Sequence, residues 1–279
     1  MARKSFLTDL ASVFSSNIFI ILAGLLVSVI LTRKLGPGGF GIYSAILVIP
    51  LLVVSFAQLG MRGSSIYHVG KKQFAGQDIV SGVLFILVIT SLLGILITAG
   101  AFYFMNEEKY THLYMVLVLL MVPFRLAMAY LGGIFLGKEQ ISRANFINWF
   151  SEVIHLIAVI IFVGFLNWQI NGALLALLIS HVLITVWALY MLHKEFRPKM
   201  RYKPEVVKDL LSMGFLFALS FTVIQLNFRI DILLLKELST LEEVGYYSLG
   251  VSVAEKLWQL PFAIGVVLMS RTANATDQE

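Results

Sequence analysis

A few ionisable side chains interrupt very long apolar runs in this sequence, and their types and spacing set the chemical questions. Arg125 stands in "VLLMVPFRLAMAY", two residues after Pro123. The proline is expected to kink a helix and free a carbonyl there. A guanidinium at that depth can grip a phosphate in a bidentate fork. It can equally be the structural partner of an acid on a neighbouring helix. Arg62, in "LGMRGSS", either snorkels to lipid headgroups or, through a bend at Gly60 and Gly63, faces a substrate. Glu152 and His155, in "FSEVIHLI", are three apart and share a helix face. Such a pair can relay a proton and couple an ion gradient. It can also be a plain hydrogen-bonded pair, or half of an ion pair with Arg125. Two ligands are too few for a metal site, and none is expected. Arg229 and Asp231, in "RIDILLLKEL", are two apart and point to different faces, so they are not each other's main partner. Both are candidates for a substrate cavity, with an outer-end helix brace as the alternative for Asp231. Glu255 and Lys256 are adjacent in "VAEKLWQLP". One of them can face a cavity while the other reaches a partner helix, which makes Glu255 a coupling candidate and Lys256 a substrate-binding one.

These groups matter because of what surrounds them. The chain has 279 residues, 59% hydrophobic and only 13% charged, with a mean hydropathy of +0.88. A soluble domain is nearer about 45–50% apolar and about 25% charged, so this is an all-α, polytopic integral membrane protein. Eight segments are apolar and long enough to span, since a helical span needs about 20 residues. They cover 10–32, 41–67, 79–104, 111–136, 144–166, 170–192, 208–233 and 245–270. The N-terminus starts basic, but its uncharged stretch from Leu10 to Thr32 is too long for the apolar core of a signal peptide, about 7–15 residues. "NWQING" (167–172) separates the fifth and sixth segments as a tight turn, with Trp168 at the interface. The sequence holds no cysteine, which excludes disulfides, thiolate catalysis and Cys-based metal sites. No cofactor is expected, and the net charge of +5 reflects membrane orientation rather than nucleic acid.

Orientation follows from the basic residues. With the N-terminus in the cytoplasm, Arg3, Lys4, Lys71, Lys72, Lys138, Arg143, Lys194, Arg197, Lys199, Arg201, Lys203 and Lys208 fall inside. Only Arg33, Lys34, Lys109 and Lys236 fall outside. That bias places both termini in the cytoplasm. The connector "HKEFRPKMRYKPEVVKD" carries two prolines and six basic side chains, and reads as a cytoplasmic linker lying near anionic lipid.

The sequence also echoes itself. "ILTRKLGPGGFGIYSAI" and "LLLKELSTLEEVGYYSLGV" both leave an apolar helix through Lys, cross a short turn, and restart with an apolar residue and Gly-x-Tyr-Ser. Gly41 and Gly245 lie 204 residues apart. A six-span unit repeated in the same sense is implied, as in carriers whose halves rock about a central site. The expected organisation is a six-helix lobe (1–192), a basic linker (193–209) and the first two helices of a second lobe (210–279). On that reading the sequence is a piece or short form of a two-lobe machine.

Three places carry a family resemblance: Leu35 to Ser44 ("LGPGGFGIYS"), Asp231 near the outer end of the seventh span, and Val244-Gly245-Tyr246-Tyr247 opening the eighth. In these the chain resembles polysaccharide flippases of the multidrug/oligosaccharidyl-lipid/polysaccharide exporter superfamily. The resemblance implies two six-helix lobes and alternating access. It also implies export of isoprenoid-linked oligosaccharides across the cytoplasmic membrane, with glycan-assembly proteins as possible partners. Under it Arg125 would meet a lipid-linked diphosphate, and Asp231 matches an acid recurrent in the family. No G-x-x-x-x-G-K-[ST] loop is present, so energy would come from an ion gradient or a downstream process. A small-molecule or multidrug exporter of the same fold is an alternative. So is an integral membrane glycosyltransferase or ligase, although the outside loops are short, no Asp-x-Asp occurs, and a non-enzymatic role is expected.

Overall fold

The computed structural model describes residues 6–71, 74–105, 110–196, 202–255 and 257–258, with the side chains of 6–16, 216 and 219–229 left aside. It is helical throughout, with no strand among the described residues. The helices are α1 (Phe6–Ala57), α2 (Met61–Lys71), α3 (Gly76–Met105), α4 (His112–Gly137), α5 (Ile141–Val159), α6 (Gln169–Phe196) and α7 (Pro204–Leu238). A π-helical turn, Ile160–Phe165, prolongs α5, and residues 241–255 form a further helix after α7. Five stretches among the described residues are long and apolar enough to cross a membrane: Asn17–Lys71, Gly76–Met105, His112–Gly137, Ile141–Phe165 and Gln169–Phe196.

The first of these contains the first two expected spans. Its 52-residue helix would be about 78 Å long if straight, more than twice a hydrocarbon core. It is not straight, because Gly36 adopts φ 69° and ψ 173°, a region open essentially to glycine alone. Gly24, Ser28 and Leu31 before that break line the same small cavity as Phe40, Ser44 and Leu51 after it, so the two arms double back. The glycine-rich string is thus a one-residue reversal rather than a loop, with helix on both sides. The second arm ends at Ala57, earlier than the segment 41–67. Leu59 and Gly60 both have positive φ (47° and 62°), and α2 leaves in a new direction. The Tyr130 hydroxyl donates to the Ala57 carbonyl at 3.3 Å, capping that helix end. The expected turn at 167–172 is shorter than its string, with α6 already starting at Gln169. Likewise α6 continues to Phe196 and α7 starts at Pro204, inside the expected linker. The end of the eighth segment lies outside the described residues.

Two apolar clusters hold the bundle, one above the other. One contains Val83, Leu126, Leu131, Phe135, Ile147, Ile184 and Leu210. The other contains Leu31, Tyr43, Ile46, Met121, Ala158, Leu174 and Leu178. The faces turned away from them expose Leu92, Leu96 and Ile97 of α3, and Leu183 and Val186 of α6. Apolar exposure on that scale suits hydrocarbon, not water. The ends of α2, α4 and α6 and the starts of α3, α5 and α7 share one end of the bundle, and there basic residues collect. Glu195 accepts from Lys138 at 2.9 Å, from Arg143 at 2.5 Å and from Gln140 at 2.7 Å. Lys203 pairs with Asp78 at 2.5 Å. At the opposite end, Lys34 donates to the Gly164 carbonyl at 3.1 Å and to Asn167 Oδ1 at 3.2 Å, tying the Gly36 reversal to the α5–α6 turn.

Candidate functional site

The polar residues gather where the two apolar clusters meet. On α4, Met121 belongs to one cluster and Leu126 to the other, with Arg125 between them. On α5, Ile147 and Ala158 bracket Glu152 and His155. On α6, Leu178 and Ile184 bracket His181. The site therefore lies at mid-height in the bundle, where hydration is poorest and charge most costly.

Two cavities open there. The first, about 260 Å³, is lined by Arg62, Arg125, Asn148, Ser151, Glu152 and His181, with small and apolar residues between them. The helix period explains the lining. Arg125, Met128, Ala129 and Gly132 form one stripe of α4, and Ala144, Asn148, Ser151 and Glu152 one stripe of α5. Arg62 reaches the same space because the Leu59–Gly60 break redirects α2. The approach of α2 to α4 is close: a Cβ on Gly133 would stand 2.6 Å from the Arg62 carbonyl oxygen.

The second cavity, about 210 Å³, lies between α1, α5 and the helix 241–255. Tyr43, Ser44, Glu152, His155, Ser248, Ser252 and Glu255 line it. Glu152 is thus common to both cavities. Its carboxylate is 3.8 Å from His155 Nδ1, longer than a hydrogen bond. Tyr43 is within electrostatic reach of both Glu152 and Arg125, and His181 of both Arg125 and His155. His155 Nε2 and His181 Nδ1 are buried with no hydrogen-bond partner among the described residues. A buried imidazole nitrogen left in that state is expensive unless water or a ligand completes it.

Of the residues singled out from sequence, Arg62, Arg125, Glu152, His155 and Glu255 converge on these two spaces. Asp231 lines neither. Its Oδ2 accepts from the Tyr247 hydroxyl across α7 and the following helix, while Oδ1 accepts from the Ile232 amide at 2.8 Å. That is the geometry of the helix brace. Arg229 lies on α7, its side chain outside the described ones, and Lys256 lies outside the described residues altogether. His181 was missed from sequence. A lone histidine in the apolar run "LLISHVLI" is the same signal that marks Arg125. Tyr43, Asn148 and Ser151 carry no comparable signal, because neutral polar residues are ordinary in spans.

Residues 6–269 match the family of polysaccharide biosynthesis proteins. None of the curated proteins matches the sequence. Among solved structures, one named only protein A aligns with a TM-score of 0.72 at 15% identity, over 95% of this chain and 64% of that one. An outward-facing multidrug resistance MATE family transporter of the MOP superfamily aligns at 0.58 and 16%, over 96% and 71%. A MOP superfamily transporter from Pyrococcus furiosus, described as having a binding pocket of reverse polarity, aligns at 0.59 and 16%, over 95% and 70%. The chain thus spans about two thirds of the length of the structures it resembles, and shares their fold.

Proposed function

This chain belongs to the polysaccharide biosynthesis protein family, and from that membership we propose that it serves to move a lipid-linked oligosaccharide across the cytoplasmic membrane by alternating access. The observation that supports this reading best is the convergence of Arg62 and Arg125 on one cavity at mid-height in the bundle. Two guanidiniums facing a small polar space suit a diphosphate, each offering a planar fork to its oxygens. Asn148 and Ser151 add neutral hydrogen-bonding groups, while the isoprenoid tail stays in lipid. Glu152, on the wall shared by both cavities, with His155 and Glu255 beside it, is proposed to couple transport to an ion or proton gradient. The termini are proposed to lie in the cytoplasm, following the basic residues. The lobe division at 193–209 is likewise proposed.

Export of a small amphiphile is the competing reading, favoured by the fold shared with multidrug transporters. One experiment separates the two. The chromosomal gene is replaced by one encoding Arg62→Gln and Arg125→Gln, and surface glycan, lipid-linked precursor and drug sensitivity are measured. Lost surface glycan with accumulated precursor is expected. Unchanged glycan with raised drug sensitivity refutes the flippase reading and supports the exporter. New glycosidic bonds made by the purified protein on a lipid-linked sugar would instead support an enzyme.

A further inference from the structure

The two echoing strings of the sequence meet in space. A Cβ on Gly41 would run into the carbonyl oxygen of Leu241 and stand 3.1 Å from the Gly245 amide nitrogen. A Cβ on Gly245 would run into the carbonyl oxygen of Pro37 and stand 3.2 Å from the Gly41 amide nitrogen. Gly38 faces Glu242, with 3.8 Å between a Cβ and Cγ. Gly41 corresponds to Gly245, Pro37 to Leu241 and Gly38 to Glu242 by the same shift of 204 residues. The contact is therefore reciprocal, like an isologous dimer interface made within one chain. One turn further along, Ser44, Val48 and Leu51 face Ser248, Ser252 and Glu255, again related by 204, but now across the second cavity. The same two faces touch at one end and part around a polar space below.

The two ends of α7 are held differently. Near its start, the Ser64 hydroxyl donates to the Leu210 carbonyl at 2.7 Å, Lys203 pairs with Asp78, and Val206, Val207 and Leu210 are built into the apolar core. At its far end lie the glycine seam, the cluster of Ala45, Val48, Ile232 and Val244 with Leu52, Leu233 and Leu235 packed on it, and the Lys236 ammonium over the Tyr110 ring at 5.5 Å. One end is fastened by directional bonds. At the other, the glycine seam sets backbone against backbone, so that contact can separate and re-form without untangling interlocked side chains.

We propose that the Gly41–Gly245 seam is the gate that closes the second cavity toward the membrane face opposite the basic connectors. It opens when the helix 241–255 parts from α1 while the start of α7 stays anchored. This rests on the transport reading above, and deepens it by naming the contact that must break in each cycle. The only tolerable side chain at either glycine is hydrogen, because the opposing atoms are main chain and cannot rotate away.

The chain has no cysteine, so the test is direct. In the first arm, Ser252→Cys reports access to the cavity through its labelling, in intact cells, by a membrane-impermeant maleimide, with and without Gly41→Ala. Gly41→Ala should raise the labelling rate roughly tenfold, since a seam that cannot shut shifts the population to the open form. An unchanged rate overturns the proposal. In the second arm, Gly38→Cys with Glu242→Cys is oxidised in native membranes. The pair should cross-link, abolish glycan export while oxidised and restore it on reduction. A pair that does not cross-link, or that exports equally well cross-linked, also overturns it. The labelling arm needs no substrate, so a failed flippase reading would leave its result standing.

Discussion

The sharpest prediction concerns Glu152, because its sign is opposite to that of the arginines it faces. Glu152 and Arg125 line the same cavity of about 260 Å³. Treated as a sphere, that volume sets a scale of roughly 8 Å across the cavity, at which an effective dielectric of about 20 gives about 2 kcal/mol per pair of unit charges. An anion held by Arg62 and Arg125 is repelled by Glu152 on that scale. Glu152→Gln keeps the shape and the hydrogen-bonding capacity but removes the charge, so it should tighten binding of a diphosphate by about 30-fold. Arg125→Gln removes an attraction of the same size together with a charge-assisted hydrogen bond, and should weaken binding by about 30-fold or more. The assay is binding of farnesyl diphosphate to the purified chain in nanodiscs at fixed low salt, by calorimetry or by displacement of a labelled analogue. Misfolding would weaken both variants together, so opposite signs cannot arise from damage. Two shifts in the same direction, or none, refute the assignment of this cavity to an anion. Transport should behave differently from affinity: a cargo held about 30-fold tighter leaves more slowly, so Glu152→Gln is expected to bind better and export less.

Three further outcomes follow from single contacts. If Asp231 only braces α7 through the Tyr247 hydroxyl, then Asp231→Asn and Tyr247→Phe should each lower stability by about 1 kcal/mol, and the double variant by little more than either. A large loss of diphosphate affinity in Asp231→Asn alone would return that residue to the cargo site. Gly36→Ala meets nothing within 4 Å, so its cost is purely that of the backbone conformation. It should destabilise the chain by about 1–3 kcal/mol, read as a lowered Tm in nanodiscs, and an unchanged Tm would contradict the one-residue reversal. Glu195→Gln releases Lys138 and Arg143 from a carboxylate only 20% exposed. A loss of about 1 kcal/mol is expected, smaller at high salt, and a salt-independent loss would mean that packing and not charge holds that corner.

Much of this architecture was legible because the bilayer demands it. Long uncharged runs have no alternative to helix in hydrocarbon, and the charges that interrupt them are expensive enough to be noticed one by one. The internal echo was legible too, and Gly41 and Gly245 meet with the shift that the sequence displays. What the sequence hides is rotation and sharpness. The glycines of 36–41 look alike in the string, yet Gly36 reverses the chain while Gly41 sits inside a helix against another helix's carbonyl. Asp231 and Glu255 look equally functional, and only the rotation of their helices sends one to Tyr247 and the other to a cavity. The π-helical turn at 160–165 left no mark, since "IIFVGF" is as apolar as an ordinary span. His181 carries a weaker version of the signal that marks Arg125, because a histidine disturbs a hydropathy profile less than an arginine does.

The placement of these groups also bears on why they persist. A bundle of this kind can be held by its two apolar clusters and its small-residue contacts, as Gly133 against Arg62 illustrates. Stability alone gives no reason to set Arg125, Glu152, His155 and His181 at the junction between those clusters, where each ionised group costs about 2.5–3.5 kcal/mol on insertion scales. Among the described residues, His155 Nε2 and His181 Nδ1 are buried without a hydrogen-bond partner, and the Glu152 carboxylate stands 3.8 Å from His155 Nδ1. An imidazole N–H can donate to a phosphate oxygen, so the anionic headgroup proposed above suits the place beside these groups. On that argument, binding the headgroup should stabilise the whole bundle. Farnesyl diphosphate should raise Tm in the unmodified chain and leave the Arg62→Gln, Arg125→Gln variant unmoved, while equal shifts in both would place the ligand elsewhere.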